Sequence, residues 1–219
     1  MRHATQLGLL LMLFFPAFQL ASQGFDLEHD KFTDAVQILT AKDILTPDLI
    51  DGIRKMNGKL PSPVAVGTLN GVTFLYRQSG VALFATAPNE DWKKMSRDNC
   101  WTIDSSKDPI EDFVMCWLIR NDFALAYRNG EYQRVVIGRN NYPESEIVVR
   151  VDQQAPFRTA APGFTADQTQ QIITQMLSGR SIVTRYQKWP YKANIDLTTD
   201  LYGFKEALQF LKWAAAHFK

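Results

Sequence analysis

Histidine side chains are the first candidates for catalysis or metal binding in this chain. Apart from His3, the sequence has only His29 and His217, near its opposite ends. A Ser-His-Asp or Cys-His arrangement would have to use one of them. His217 closes a helical pattern, where the helix dipole favours a cation. His29 lies in Glu28-His29-Asp30, and consecutive side chains do not converge on one ion. We therefore predict no metal site and no cofactor.

Carboxylate pairs are the second candidates. They occur at Glu90-Asp91, Glu111-Asp112 and Glu144 with Glu146. A glycosidase needs two carboxyl groups facing each other across a bond, which sequence proximity does not provide. The sequence also contains no P-loop, dinucleotide fingerprint, Gly-x-Ser-x-Gly or His-Glu-x-x-His motif. We therefore predict no catalytic residues. The alternative is a hydrolase, or an inhibitor of one, that acts on envelope polymers.

Aromatic residues in segments with loop composition are the more suggestive feature. Exposed Trp and Tyr are the side chains most enriched at binding hot spots. Trp189-Pro190-Tyr191, flanked by Lys188 and Lys192, is the best candidate for a recognition patch. The alternative is that these rings only cover the ends of the core. The predicted partner-binding residues are Trp189, Tyr191, Trp92 and Tyr142.

The first residues have the composition of an export signal. Arg2 precedes an apolar run from Leu7 to Phe18, and a polar stretch of small residues follows up to Gly24. The run is shorter than the roughly 20 residues that a membrane span requires. We predict that residues 1–24 are a signal peptide cleaved near Ala21 to Gly24. The mature chain would be periplasmic or secreted, without stable membrane insertion.

Charge and cysteine content narrow the function further. Lys and Arg number 24 against 23 Asp and Glu, so the chain lacks the basic excess with which proteins bind nucleic acid. Neither Cys100 nor Cys116 lies near the cleavage zone, which argues against a lipoprotein. An even pair in an exported chain predicts a disulfide, and closing a loop of about 15 residues would stabilise the fold by roughly 3 kcal/mol. Two free, buried thiols are the alternative.

Local patterns outline the elements that must position these residues. Residues 25–90 are predicted as a helical and β-hairpin lead-in. It has two short helices, the first over Phe32 to Leu39 and the second beginning at Thr46-Pro47, and a hairpin turn at Asn70-Gly71. Residues 91–219 are predicted as a β-rich domain, and residues 88–112, across the boundary between the two parts, as a long loop. Thr165 begins a capped helix that stops at Gly179, and Phe204 to Phe218 forms a C-terminal helix. The predicted fold class is α+β, an antiparallel β-sandwich with packed helices.

The second half of the chain resembles a known family. The stretch from Val151 to Phe157, the helix ending in Leu177-Ser178-Gly179-Arg180, and the closing stretch from Asp200 to Leu208 are together similar to the invasion-associated locus B family of exported bacterial proteins. The resemblance covers residues 92–211. It implies a β-rich envelope protein without established catalysis, and it supplies no catalytic residues. The family's second cysteine pair is missing here, since Thr159, Gly163 and Phe164 occupy that region.

These observations favour an exported, non-enzymatic binding or host-interaction protein of a Gram-negative envelope. Its partner would be a protein or a glycan of the envelope or host. A structural subunit of an envelope assembly, docking through the helices of residues 25–58, is a further alternative.

Overall fold

The computed structural model describes residues 24–219, so all of the predicted signal peptide except Gly24 lies outside the described residues. The chain folds into an eight-stranded sheet and a four-stranded sheet, both antiparallel, with helices packed on them. The predicted α+β class, an antiparallel sandwich with packed helices and a C-terminal helix, is confirmed.

The eight-stranded sheet is a meander in which the strands follow each other in sequence order. Its strands are β1 (Gln37–Leu39), β2 (Val64–Leu69), β3 (Val72–Arg77), β4 (Val81–Phe84), β5 (Trp101–Lys107), β6 (Val114–Arg120), β7 (Phe123–Arg128) and β8 (Glu131–Ile137). The four-stranded sheet has the order β10-β9-β11-β12. Its strands are β9 (Ile147–Val151), β10 (Phe157–Thr159), β11 (Ser181–Gln187) and β12 (Asn194–Asp200). The helices are α1 (Ala41–Ile44), α2 (Pro47–Lys55), α3 (Ala166–Ser178) and α4 (Phe204–His217).

One part of the core lies between α4 and one face of the large sheet, and it continues to α3 and the four-stranded sheet. Alternate residues of each strand point to this inner face, and α4 packs against β4, β5, β6 and β7. Phe210 of α4 lies 5.3 Å from the ring of Tyr76 and 5.5 Å from that of Phe84. Aromatic burial of this kind is a major contribution to core stability.

The hairpin between β6 and β7 joins the two sheets. The amide of Asn121 donates to Thr199 Oγ1 at 2.8 Å, and the hydroxyl of Thr184 donates to the Asp122 carboxylate at 2.8 Å. Burial raises the pKa of Asp122 above its ordinary value because desolvation disfavours the charged form. The hairpin tip therefore docks on the second sheet through polar contacts.

Elements whose signals are local in sequence form where they were predicted. Helix α2 begins at Pro47. Asn70 and Gly71 have φ values of 51° and 82°, the left-handed pair of a tight hairpin turn. At the start of α3, the hydroxyl of Thr165 accepts a hydrogen bond from the N–H of Gln168, as a capping box requires.

Two local predictions are wrong. The segment from Phe32 to Leu39 forms turns and then β1, not a helix, because residues 37–39 pair with β2. Residues 101–107 form β5 within the predicted long loop. The polar Asp104, Ser105 and Ser106 interrupt the apolar pattern of β5, but pairing with β4 and β6 holds the strand in the sheet. The β4–β5 pairing also continues the sheet across residues 90 and 91, where the lead-in was predicted to end.

The predicted disulfide is wrong, because Cys100 and Cys116 are free thiols. Cys100 directly precedes β5, whereas Cys116 on β6 lies opposite Ser105. About five residues of extended chain separate Cys100 from that position, or roughly 16 Å, against a limit of about 7 Å between bridged Cα atoms. Burial raises the pKa of each thiol to about 11. Both thiols therefore stay protonated and unreactive at neutral pH.

Candidate functional site

Three of the four predicted binding residues, Trp189, Tyr191 and Tyr142, lie on loops that the fold brings together. The rings of Tyr142 and Trp189 have centroids 5.2 Å apart. The ammonium group of Lys192 lies 5.0 Å from the centre of the Tyr142 ring, within the range of a cation–π contact. We call Tyr142, Trp189, Tyr191 and Lys192 the aromatic cluster.

Backbone hydrogen bonds hold the two loops of the aromatic cluster against each other. The N–H of Tyr142 donates to the carbonyl of Gln187 at 2.6 Å, and the N–H of Trp189 donates to the carbonyl of Asn140 at 2.9 Å. Asn141 and Lys188 form an isolated antiparallel β-bridge between them. The side-chain amide of Asn141 also donates to the carbonyl of Ile137 at the end of β8. The two loops that carry the rings are therefore fixed to each other and to the ends of β8 and β11, one strand from each sheet.

The outer members of the aromatic cluster are accessible to solvent. Trp189 is 48% exposed and Tyr191 is 72% exposed. About half of the Trp189 surface and most of the Tyr191 surface therefore stay in water, so much of the apolar area of this pair is available to a ligand. Since Trp and Tyr are also the commonest hot-spot residues, a pre-ordered exposed pair is suited to binding.

A groove of about 320 Å³ adjoins the aromatic cluster, with which it shares Tyr142. Its walls include Pro143, the partly buried Val136 of β8, and the loop of residues 160–162. The walls are mainly apolar, and Glu144 is the charged residue among them. The groove can accept a small apolar side chain of a partner beside the exposed rings.

The fourth predicted binding residue, Trp92, lies apart from the aromatic cluster. It begins a short 3-10 turn (Trp92–Lys94) and lines a different cavity, whose walls share no residue with the groove beside Tyr142. Trp101, which falls within the predicted loop of residues 88–112, is fully buried on β5 and donates its indole N–H to the carbonyl of Tyr202. Trp101 is therefore a core residue.

The histidines are engaged locally. His29 Nδ1 lies 2.9 Å from a carboxylate oxygen of Asp26, and the ring of His217 stacks on Trp213 with centroids 4.7 Å apart. Within residues 24–219, no group of three or more His, Cys, Asp or Glu side chains is arranged to hold a metal ion.

Four of the six carboxylates of the sequence pairs also have local partners. Glu90 accepts from the N–H of Thr86, and Asp91 accepts from the N–H of Lys93. Asp112 pairs with Lys107 at 2.7 Å, and Glu146 pairs with Arg158. These contacts explain the acidic residues as caps and ion pairs of loops.

The residues that carry the family resemblance have structural roles. The Asp152 carboxylate accepts from the N–H groups of Arg180 and Ser181, which lowers the pKa of Asp152 and ties β9 to β11. Gly179 packs so closely on Val151 that a Cβ would lie 2.5 Å from a methyl carbon of that residue. Gly203 precedes α4 with φ of 76°. The shared motifs therefore secure the junctions of strands and helices.

Some residues around the aromatic cluster had no signal in the sequence. Val136 lies within a strand, and residues 160–162 are small and carry no chemistry. Their contribution depends on the loop after β10 lying beside the loop after β8. A signal was present only for Tyr142-Pro143 and for the Lys-flanked Trp189-Pro190-Tyr191.

No helix within residues 24–219 is long and apolar enough to cross a membrane.

The comparisons with known proteins leave the family open. No protein-family model, curated protein or solved structure matches this chain, so its resemblance to the invasion-associated locus B family stays a prediction.

Proposed function

We propose that this chain is an exported, non-enzymatic binding protein of a bacterial envelope, and that the aromatic cluster contacts its partner. The observation that carries the proposal is the exposure of Trp189 and Tyr191 on loops that backbone hydrogen bonds hold in place. A pre-ordered site loses little conformational entropy on binding, which favours affinity.

The partner that fits best is a protein. Trp189 and Tyr191 offer large aromatic faces, and Lys192 places a positive charge over the neighbouring Tyr142 ring. The adjoining apolar groove suits an anchoring side chain, as in the pockets that hot-spot residues fill. A glycan that stacks on the two rings is the competing ligand.

The proposal is tested with the double variant Trp189→Ala/Tyr191→Ala. Because Tyr191 is largely exposed and Trp189 is about half buried, we expect the free energy of unfolding to fall by no more than about 2 kcal/mol, less than the loss of a core aromatic side chain would cost. Truncating two hot-spot residues should weaken binding by about 2 kcal/mol or more for each, roughly 30-fold per residue. The readouts are urea unfolding, and capture of envelope proteins and glycans on immobilised protein.

Leu49→Ala/Met56→Ala is the matched control. Both residues are exposed apolar side chains at α2, outside the aromatic cluster. The control should retain every captured partner. If both double variants capture the same molecules with the same affinity, the aromatic cluster is not the binding site. If the unmodified protein captures glycans but no protein, and the Trp189→Ala/Tyr191→Ala variant captures neither, the ligand of the aromatic cluster is a carbohydrate.

A further inference from the structure

A second cavity lies on the outer face of the large sheet, away from the aromatic cluster. It has a volume of about 550 Å³ and is open to solvent between α1 and the turn of residues 92–94. We call it the Trp92 groove. Its volume lies within the range of about 300–1,000 Å³ that small-molecule sites occupy.

The floor and walls of the Trp92 groove are largely apolar. Val64 of β2 and Leu75 of β3 face outward here, and Met95, just after the turn, covers part of the sheet beside them. Ile44 of α1 and Trp92 are partly buried and also line the groove. An alkyl chain in this groove would leave water on contact with these side chains.

The rim of the Trp92 groove is cationic. Arg77 lies at the end of β3, opposite Val64, and Lys93 places its ammonium group 5.7 Å from the centre of the Trp92 ring. Both side chains are exposed, and neither pairs with a carboxylate within residues 24–219. No acidic residue lines the groove, whereas the hydroxyls of Ser62 and Ser79 do. The rim therefore offers two positive charges and hydrogen-bond donors.

We propose that the Trp92 groove binds a monomeric amphiphile, a single alkyl chain with an anionic head group. The chain contacts Val64, Leu75 and Trp92, and the head group lies between Arg77 and Lys93. An amphiphile of this kind satisfies both the apolar floor and the unpaired cations. A neutral ligand would leave Arg77 and Lys93 without a counter-charge. An acidic peptide without an apolar side chain would leave the partly buried Ile44 and Trp92 in contact with water. The site is independent of the aromatic cluster.

The test measures binding of linear alkyl carboxylates below their micelle concentrations by isothermal titration calorimetry, using protein purified after expression of the full chain. Burying one methylene contributes about 0.8 kcal/mol, so affinity should rise about fourfold for each added carbon until the groove is full. Dodecanoate and dodecyl phosphate should bind, whereas dodecanol and dodecyltrimethylammonium should bind at least tenfold more weakly.

Two sets of variants locate the site. Arg77→Gln/Lys93→Gln removes exposed charges without disturbing the core and should reduce dodecanoate affinity at least tenfold. The matched control, Lys94→Gln/Arg139→Gln, removes two exposed cations that do not line the groove and should bind normally. Trp92→Ala should also lose affinity, whereas Trp189→Ala should not. The latter variant separates this site from the aromatic cluster.

Several outcomes would overturn the proposal. Equal affinity for dodecanoate and dodecanol would show that Arg77 and Lys93 do not bind the head group. If no alkyl compound binds, the groove is not a site for amphiphiles. Loss of a concentration-dependent dimer in Trp92→Ala, seen by analytical ultracentrifugation, would assign the groove to a second copy of the chain. Binding to phosphatidylglycerol vesicles but not to monomeric dodecanoate would assign it to a membrane surface.

Discussion

Phe25 tests whether the lead-in belongs to the same cooperative unit as the C-terminal helix. Its side chain is 1% exposed. Its ring lies 5.2 Å from that of Trp213 and 5.3 Å from that of Phe218, near the other end of the chain. Replacing a buried Phe by Ala removes transfer free energy and leaves a cavity, which costs about 3–5 kcal/mol. We therefore expect Phe25→Ala to destabilise the whole protein by about that amount.

The expected result is a single unfolding transition at lower temperature. For a chain of this size, each kcal/mol shifts the Tm by about 2–4 °C, so Phe25→Ala should lower it by roughly 6–20 °C. The assay is thermal unfolding followed by tryptophan fluorescence and by far-UV circular dichroism, which should give coincident curves. Leu49→Ala is the control, because Leu49 is 55% exposed in the same lead-in and should change stability by less than about 0.5 kcal/mol.

Two results would refute this reasoning. An early transition that involves the lead-in alone would make residues 25–90 a separate unit. A loss below about 1 kcal/mol in Phe25→Ala would mean that its contacts with α4 are not part of the stable core. A double-mutant cycle with Phe218→Ala should give a coupling of about 0.5–1.5 kcal/mol if the two rings interact as described.

Three further predictions concern single groups. The pKa of Asp122 is raised in the folded state from its ordinary value of 3.8, so its contribution to stability is greatest below about pH 4 and falls as pH rises through the raised pKa. Asp122→Asn keeps an acceptor for Thr184 and should abolish this loss of stability with rising pH. Urea unfolding at a series of pH values measures it, and a variant with the same pH dependence as the unmodified protein would contradict the prediction. Cys100 and Cys116 are free, so both thiols should react with a thiol reagent after denaturation without reductant. If no thiol reacts, the two cysteines form the disulfide after all. Gly24 exchanges hydrogen bonds with Lys219, and a Cβ on it would lie 2.1 Å from the Gln78 carbonyl oxygen. Within the predicted cleavage zone of Ala21 to Gly24, we therefore expect the cut upstream of Gly24, so that Gly24 stays in the mature chain. N-terminal sequencing of the protein purified after expression of the full chain would contradict this by finding Phe25 first.

Several features of this protein were predictable because their causes are local. The Thr165 capping box, Pro47 at a helix start and the Asn70-Gly71 turn act through atoms a few residues apart. Apolar Ile147, Val149 and Val151 alternate in the sequence, as in a strand with one buried face, and this stretch forms β9. The α+β class was also predictable, because apolar residues recur with the helical period in some segments and with the strand period in others.

The arrangement of distant segments was decided only by the tertiary structure. Strand β5 exists because β4 and β6 supply its hydrogen bonds, although its own residues are partly polar. The same register separates Cys100 from Cys116, which sequence spacing alone made appear a good pair. Tyr142 meets Trp189 because the loops after β8 and β11 are bonded together, while Trp92 lies on the outer face of the large sheet. Side-chain types indicated binding, but strand register determined which side chains share a site, because register depends on pairing between residues far apart in sequence.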